Sequence, residues 1–110
     1  DPTPLTSIYS LPLEDLVRGD PPGNPLIEIS KIRAAVRTIL RSLSDSKGVA
    51  VHCWGGRGRT GTVLGCVLRE LGYEGEPVVK YLDEIQRLRG RKGWPEAVWQ
   101  SEIVSKWPDV

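Results

Sequence analysis

The sequence predicts an α/β fold, on three observations. An apolar run, Val49-Ala50-Val51, leads into His52-Cys53 and reads as a strand apolar on both faces, the signature of a central parallel strand. Four segments carry apolar residues at helical spacing, and three of them follow that strand. A second short β-type run, Ile8-Tyr9-Ser10-Leu11, stops at Pro12. The chain of 110 residues is long enough for one domain, taken as 1–110.

Composition narrows the classes of function. Lys and Arg number 15 against 14 Asp and Glu, a net charge of +1, so no bulk field draws the chain to nucleic acid or an anionic membrane. No apolar run approaches the ~20 residues of a membrane span. No leader-like stretch opens the sequence. The two cysteines, Cys53 and Cys66, and the single His52 make neither a disulfide framework nor a zinc-type ligand set. A reduced, cytoplasmic setting and no metal or other cofactor are therefore expected.

In chain order, residues 1–7 are a polar lead-in. After Leu11, the segment Pro12 to Pro25 carries four prolines and two glycines and reads as a long loop. From Leu26 to Ser44, Ile29, Ile32, Ala35/Val36, Ile39/Leu40 and Leu43 share one helical face. Arg33, Arg37 and Arg41 lie on the other and read as a solvated stripe. A helix from about Arg59 to Leu71 is closed by Gly72, and Cys66 within it reads as a small core residue. Pro77 to Arg89 forms the next helix, with Val78, Tyr81, Leu82, Ile85 and Leu88 as its buried stripe. The basic run Arg87 to Lys92 fits a solvated helix end.

The chemistry concentrates between strand and helix. Gly55, Gly56 and Gly58 let successive backbone N–H groups turn inward at a helix N-terminus, which makes a cradle for a phosphate dianion. Arg59 presents a planar fork to two phosphate oxygens, and Arg57 adds a second cation. Cys53 sits at the base of this positive field, which favours the nucleophilic thiolate. A buried strand-end cysteine would account for Cys53 but not for the glycines and arginines.

His-Cys, five residues, Arg and then Thr-Gly resembles the signature of cysteine-dependent tyrosine and dual-specificity phosphatases. The resemblance implies a mixed, mainly parallel sheet flanked by about four helices. Only two strands are legible here, so the N-terminal strands are expected to be missing or reduced, leaving an unpaired sheet edge through which copies could associate. It also assigns roles. Cys53 is the nucleophile. Trp54, Gly55, Gly56, Arg57, Gly58 and Arg59 bind the phosphate, Thr60 supports the sulfur, and His52 orients the loop. Pro12-Leu13-Glu14-Asp15 matches the segment that carries the general acid and places that role on Asp15, with Asp20 as its rival. Trp94-Pro95-Glu96-Ala97-Val98-Trp99-Gln100 resembles the Ser-Pro-Glu-Thr-x-x-Gln opening of the last helix. Pro95, Glu96 and Gln100 match, while Trp94 and Ala97 replace Ser and Thr.

The expected activity is hydrolysis of phosphomonoesters through a cysteinyl-phosphate intermediate, on phosphotyrosine, phosphoserine or phosphothreonine proteins. The alternatives are a phosphoinositide or RNA 5′-phosphatase, to which the extra cation of Arg57 would be suited, and a phosphate-binding module without turnover. An ATP-binding loop fails on spacing, because no Gly-Lys-Ser/Thr ending is present.

Overall fold

The computed structural model describes residues 13, 16, 19–45, 58–90 and 92–110. They form four helices: α1 (Pro25–Ser44), α2 (Gly58–Glu70), α3 (Gly75–Leu88) and α4 (Val98–Lys106). No strand occurs among the described residues, which corrects the expected mixed, mainly parallel sheet. The physical reason lies in what each helix buries. Their apolar faces close on one another, α2 packing against α1, α3 and α4 and α3 against α4, and with Trp94 and Trp107 from outside the helices they make the described core without a sheet. Both runs read as strands, 8–11 and 49–53, lie outside the described residues. With no strand edge described, association through one has no support.

Local chemistry sets the helix ends. Asn24 caps α1, its side-chain oxygen accepting from the Ile27 N–H at 3.2 Å, and Pro25 fills the first helical position, where its missing N–H costs nothing. The end of α2 is a Schellman turn: Tyr73 N–H donates to Leu68 O at 3.1 Å and Gly72 N–H to Arg69 O at 3.0 Å. Gly72 takes φ of 104°, which a side chain would oppose. The observed α1, α2 and α3 start within two residues of the spans the periodicity predicts.

The core joins Ile32, Val36 and Ile39 of α1 to Val63, Cys66 and Val67 of α2, Val78 and Leu82 of α3, and Val104 of α4. Trp107, fully buried just after α4, is held at both faces of its chemistry. Its indole N–H donates to Glu70 Oε1 at 3.0 Å, and the Arg33 guanidinium lies 4.7 Å from the ring centroid. Arg33 thus leaves the solvated stripe expected of it, whereas Arg37 and Arg41 are exposed. The stripe expected on α3 is also narrower than its period suggests. Val78 and Leu82 are buried with Gln86, but Tyr81 and Leu88 face solvent.

Close packing of α2 depends on small residues along it. A β-carbon at Gly65 would stand 2.7 Å from Val104 Cγ2 and 3.0 Å from Leu82 Cδ1. Alanine there gains ~1 kcal/mol of helix propensity but overpacks a site whose neighbours are fixed, a cost of about 1–3 kcal/mol. Val104 is 0% exposed and has nowhere to move, so the overpacking wins. Gly65→Ala is expected to lower the urea midpoint with an unchanged slope; an equal or higher midpoint would show that the α2–α4 contact yields freely.

Candidate active site

The described part of the site is the first turn of α2. Gly58 is buried at its start, followed by Arg59 and Thr60, both half-buried. Backbone N–H groups of a first helical turn point out of the N-terminal end, where the dipole is positive, so this turn attracts an anion. His52, Cys53, Trp54, Gly55, Gly56, Arg57 and Asp15 lie outside the described residues.

The segment 94–100 folds onto this turn. Trp94 donates its indole N–H to Gly58 O at 3.2 Å, and the Thr62 hydroxyl donates to the same oxygen at 2.8 Å. The Glu96 carboxylate and the Gln100 amide press against the α-carbon of Gly58. A β-carbon there would lie 2.7 Å from Glu96 Cδ and 3.0 Å from Gln100 Nε2. Gln100 Oε1 accepts from the N–H groups of Glu96 at 2.8 Å and Ala97 at 3.1 Å. That bond to Ala97 is the glutamine half of a capping box at the start of α4. With its oxygen so engaged, Gln100 turns its amide nitrogen toward Gly58. A β-carbon at Gly61 would stand 2.6 Å from Trp94 Cδ1, so the glycine of the Thr-Gly pair makes room for the indole.

Trp94 is held from behind. Its backbone N–H donates to Asp83 Oδ1 at 3.0 Å, and the Asp83 carboxylate is paired with Arg87 Nε at 3.0 Å. The loop before α1 reaches the same place. Gly19, at φ of 87°, closes a turn onto Leu16 O and lies against Glu96 O. Asp20, next to it, is exposed. The structure therefore brings Gly58, Arg59, Thr60, Glu96 and Gln100 together at one helix end. The choice of acid between Asp15 and Asp20 rests on the sequence.

Sequence reasoning missed Trp94, Thr62 and Asp83 as parts of this site. Trp94 registered only as a departure from a motif. The available signal was the glycine pair at 58 and 61, one helical turn apart, which requires a bulky partner. Among the described residues no group of His, Cys, Asp and Glu is arranged to hold a metal ion.

The comparisons decide the family. The family model described as "PTP-SAK: Swiss Army Knife protein, DSP-PTPase phosphatase domain" matches residues 25–98, well over half of the chain. The chain belongs to the cysteine-dependent tyrosine and dual-specificity phosphatase superfamily. "Putative tyrosine-protein phosphatase OCA1" of Kluyveromyces lactis is 39% identical over 74 residues. That alignment covers 67% of this chain and 32% of the relative, so the chain spans about a third of that protein. No solved structure matches. No helix among the described residues is long and apolar enough to cross a membrane.

Cys66, on α2, is fully buried and its thiol is pushed far above the ordinary range, first by burial and then by the Glu70 carboxylate. It stays a thiol and serves as packing. The unfolded thiol titrates near 9.0, so above that pH the unfolded chain releases a proton the folded chain keeps. Stability from this group is complete below about pH 9 and falls as pH rises, by up to ~1.4 kcal/mol per pH unit. The stability gap between the native chain and Cys66→Ala, from urea melts at pH 8, 9 and 10, is expected to narrow with pH. A constant gap would contradict the burial of the thiol.

Proposed function

We propose that the chain hydrolyses phosphomonoesters through a cysteinyl-phosphate intermediate. The observation that carries this reading is the register of Cys53, five residues and Arg59, with Arg59 in the first turn of α2, inside the region matched by the phosphatase family model. The positive end of α2 and the Arg59 guanidinium supply charge to the equatorial oxygens, together with the amides of Trp54, Gly55, Gly56, Arg57 and Gly58. The Cys53 thiolate forms a bond to phosphorus as the P–O bond breaks, and Asp15 gives its proton to the departing oxygen. Water then attacks phosphorus while the Asp15 carboxylate takes a proton, the S–P bond breaks, and inorganic phosphate leaves. Thr60 donates to the departing sulfur, and His52 holds the loop in shape. Glu96 and Gln100 line the wall beside Gly58, where they fit the shaping of the pocket.

Phosphorylated proteins are the proposed substrates. The name of the Kluyveromyces lactis relative, "Putative tyrosine-protein phosphatase OCA1", supports phosphotyrosine first. A reducing compartment such as the cytoplasm suits the reactive thiol.

Turnover of an aryl phosphate is expected to vanish in Cys53→Ser while orthovanadate still binds. Turnover near the native level in that variant would sink the mechanism. In Asp15→Asn the rate is expected to fall by about 10²-fold or more, most for poor leaving groups. An unchanged rate there, with the loss appearing in Asp20→Asn, would move the acid role to Asp20. The native enzyme should lose activity to iodoacetate with a midpoint well below the ~8.5 of a free thiol. A midpoint at or above that value would contradict the thiolate.

A further inference from the structure

We infer that Trp94 is a positioning residue for the phosphate-binding turn, acting with Thr62 through the Gly58–Arg59 peptide; this rests on the phosphatase reading above. The Gly58 carbonyl and the Arg59 N–H belong to one planar trans unit and point in opposite directions. Fixing the oxygen therefore fixes the aim of the N–H, which leaves the N-terminal end of α2 toward the place a phosphate occupies.

Two side chains fix that oxygen, Trp94 Nε1 at 3.2 Å and Thr62 Oγ1 at 2.8 Å, beyond the helix's own ladder. Both donors are shielded from water: Trp94 is 3% exposed and Thr62 2%. In so dry a setting a hydrogen bond is stronger and polarises its neighbours. Drawing electron density onto the Gly58 oxygen makes the Arg59 N–H a better donor to an anion.

Trp94 is equipped for this task beyond filling space. Its backbone is pinned by Asp83, Asp83 is pinned by Arg87, and its ring is seated on Gly61. The indole nitrogen is thereby held on the carbonyl from a distance of 36 residues in sequence. The departure from the expected Ser at this position thus supplies a rigid donor to the turn.

The test uses Trp94→Phe, which removes the donor and keeps an aromatic ring, and Thr62→Val, which removes the other donor at nearly constant shape. Each is expected to weaken orthovanadate binding about three- to tenfold and to move the Arg59 amide proton upfield in a ¹⁵N-resolved NMR spectrum. Each is also expected to lower kcat/KM for an aryl phosphate by a similar factor. A tryptophan that only packs would lower the melting temperature of Trp94→Phe and leave vanadate affinity and the Arg59 resonance alone. Native affinity and an unmoved Arg59 amide in both variants would overturn the inference. Absence of turnover in the unmodified chain would overturn the phosphatase reading instead, because the binding and NMR measurements do not require turnover.

Discussion

The placement of α2 governs everything else in the described structure. This helix has two tasks that pull against each other. Under the proposed function its N-terminal end must stay open to an anion, while its length is buried by neighbours on three sides. The conflict is resolved along the axis. The buried residues Val63, Cys66 and Val67 begin one turn in, while Arg59 and Thr60 are half-buried at the start. The N-terminal end of α2 is thus a fixed point of the core, and neighbouring elements are set by how they reach it.

The segment 94–100 is the clearest case of such an element. It leaves α3, crosses the end of α2 and starts α4, bonding to something at nearly every step. Asp83 takes the Trp94 N–H, Gly58 takes the indole N–H, and Gln100 takes the N–H groups of Glu96 and Ala97. Polar groups that enter a buried region must be paired there, and these pairs leave the segment few alternative paths. Trp107 does the same at the far end of α4, tied to Glu70 of α2 and Arg33 of α1.

Helical periodicity made α1, α2 and α3 legible, because each keeps a repeating apolar face, and Gly72 marks the end of α2; the Asn24 cap of α1 emerges only in the structure. The spacing from Cys53 to Arg59 made the family legible, and the phosphatase family model matches across it. What stayed hidden depends on contacts distant in sequence. Arg33 looks like its exposed neighbours Arg37 and Arg41 until Trp107 packs over it. Tyr81 and Leu88 fit the apolar period of α3, yet no other helix covers them. Trp94 was a mismatch to a motif and became a hydrogen-bond donor 36 residues away. The sheet was an expectation from family resemblance, and the described residues bury their apolar faces helix against helix instead.

Gly58, Gly61 and Gly65 form a bare strip along α2 that admits Trp94, Glu96, Gln100 and Val104. The first two also belong to the family's sequence signature. Under the proposed mechanism, selection on folding and selection on turnover would therefore act on the same residues. A descendant released from that proposed catalysis could exchange Cys53 or Arg59, but exchanging these glycines would unseat the helix packing. In lineages of this fold, glycine spacing should outlive the nucleophile, and a motif weighted toward glycines would trace ancestry more faithfully than activity.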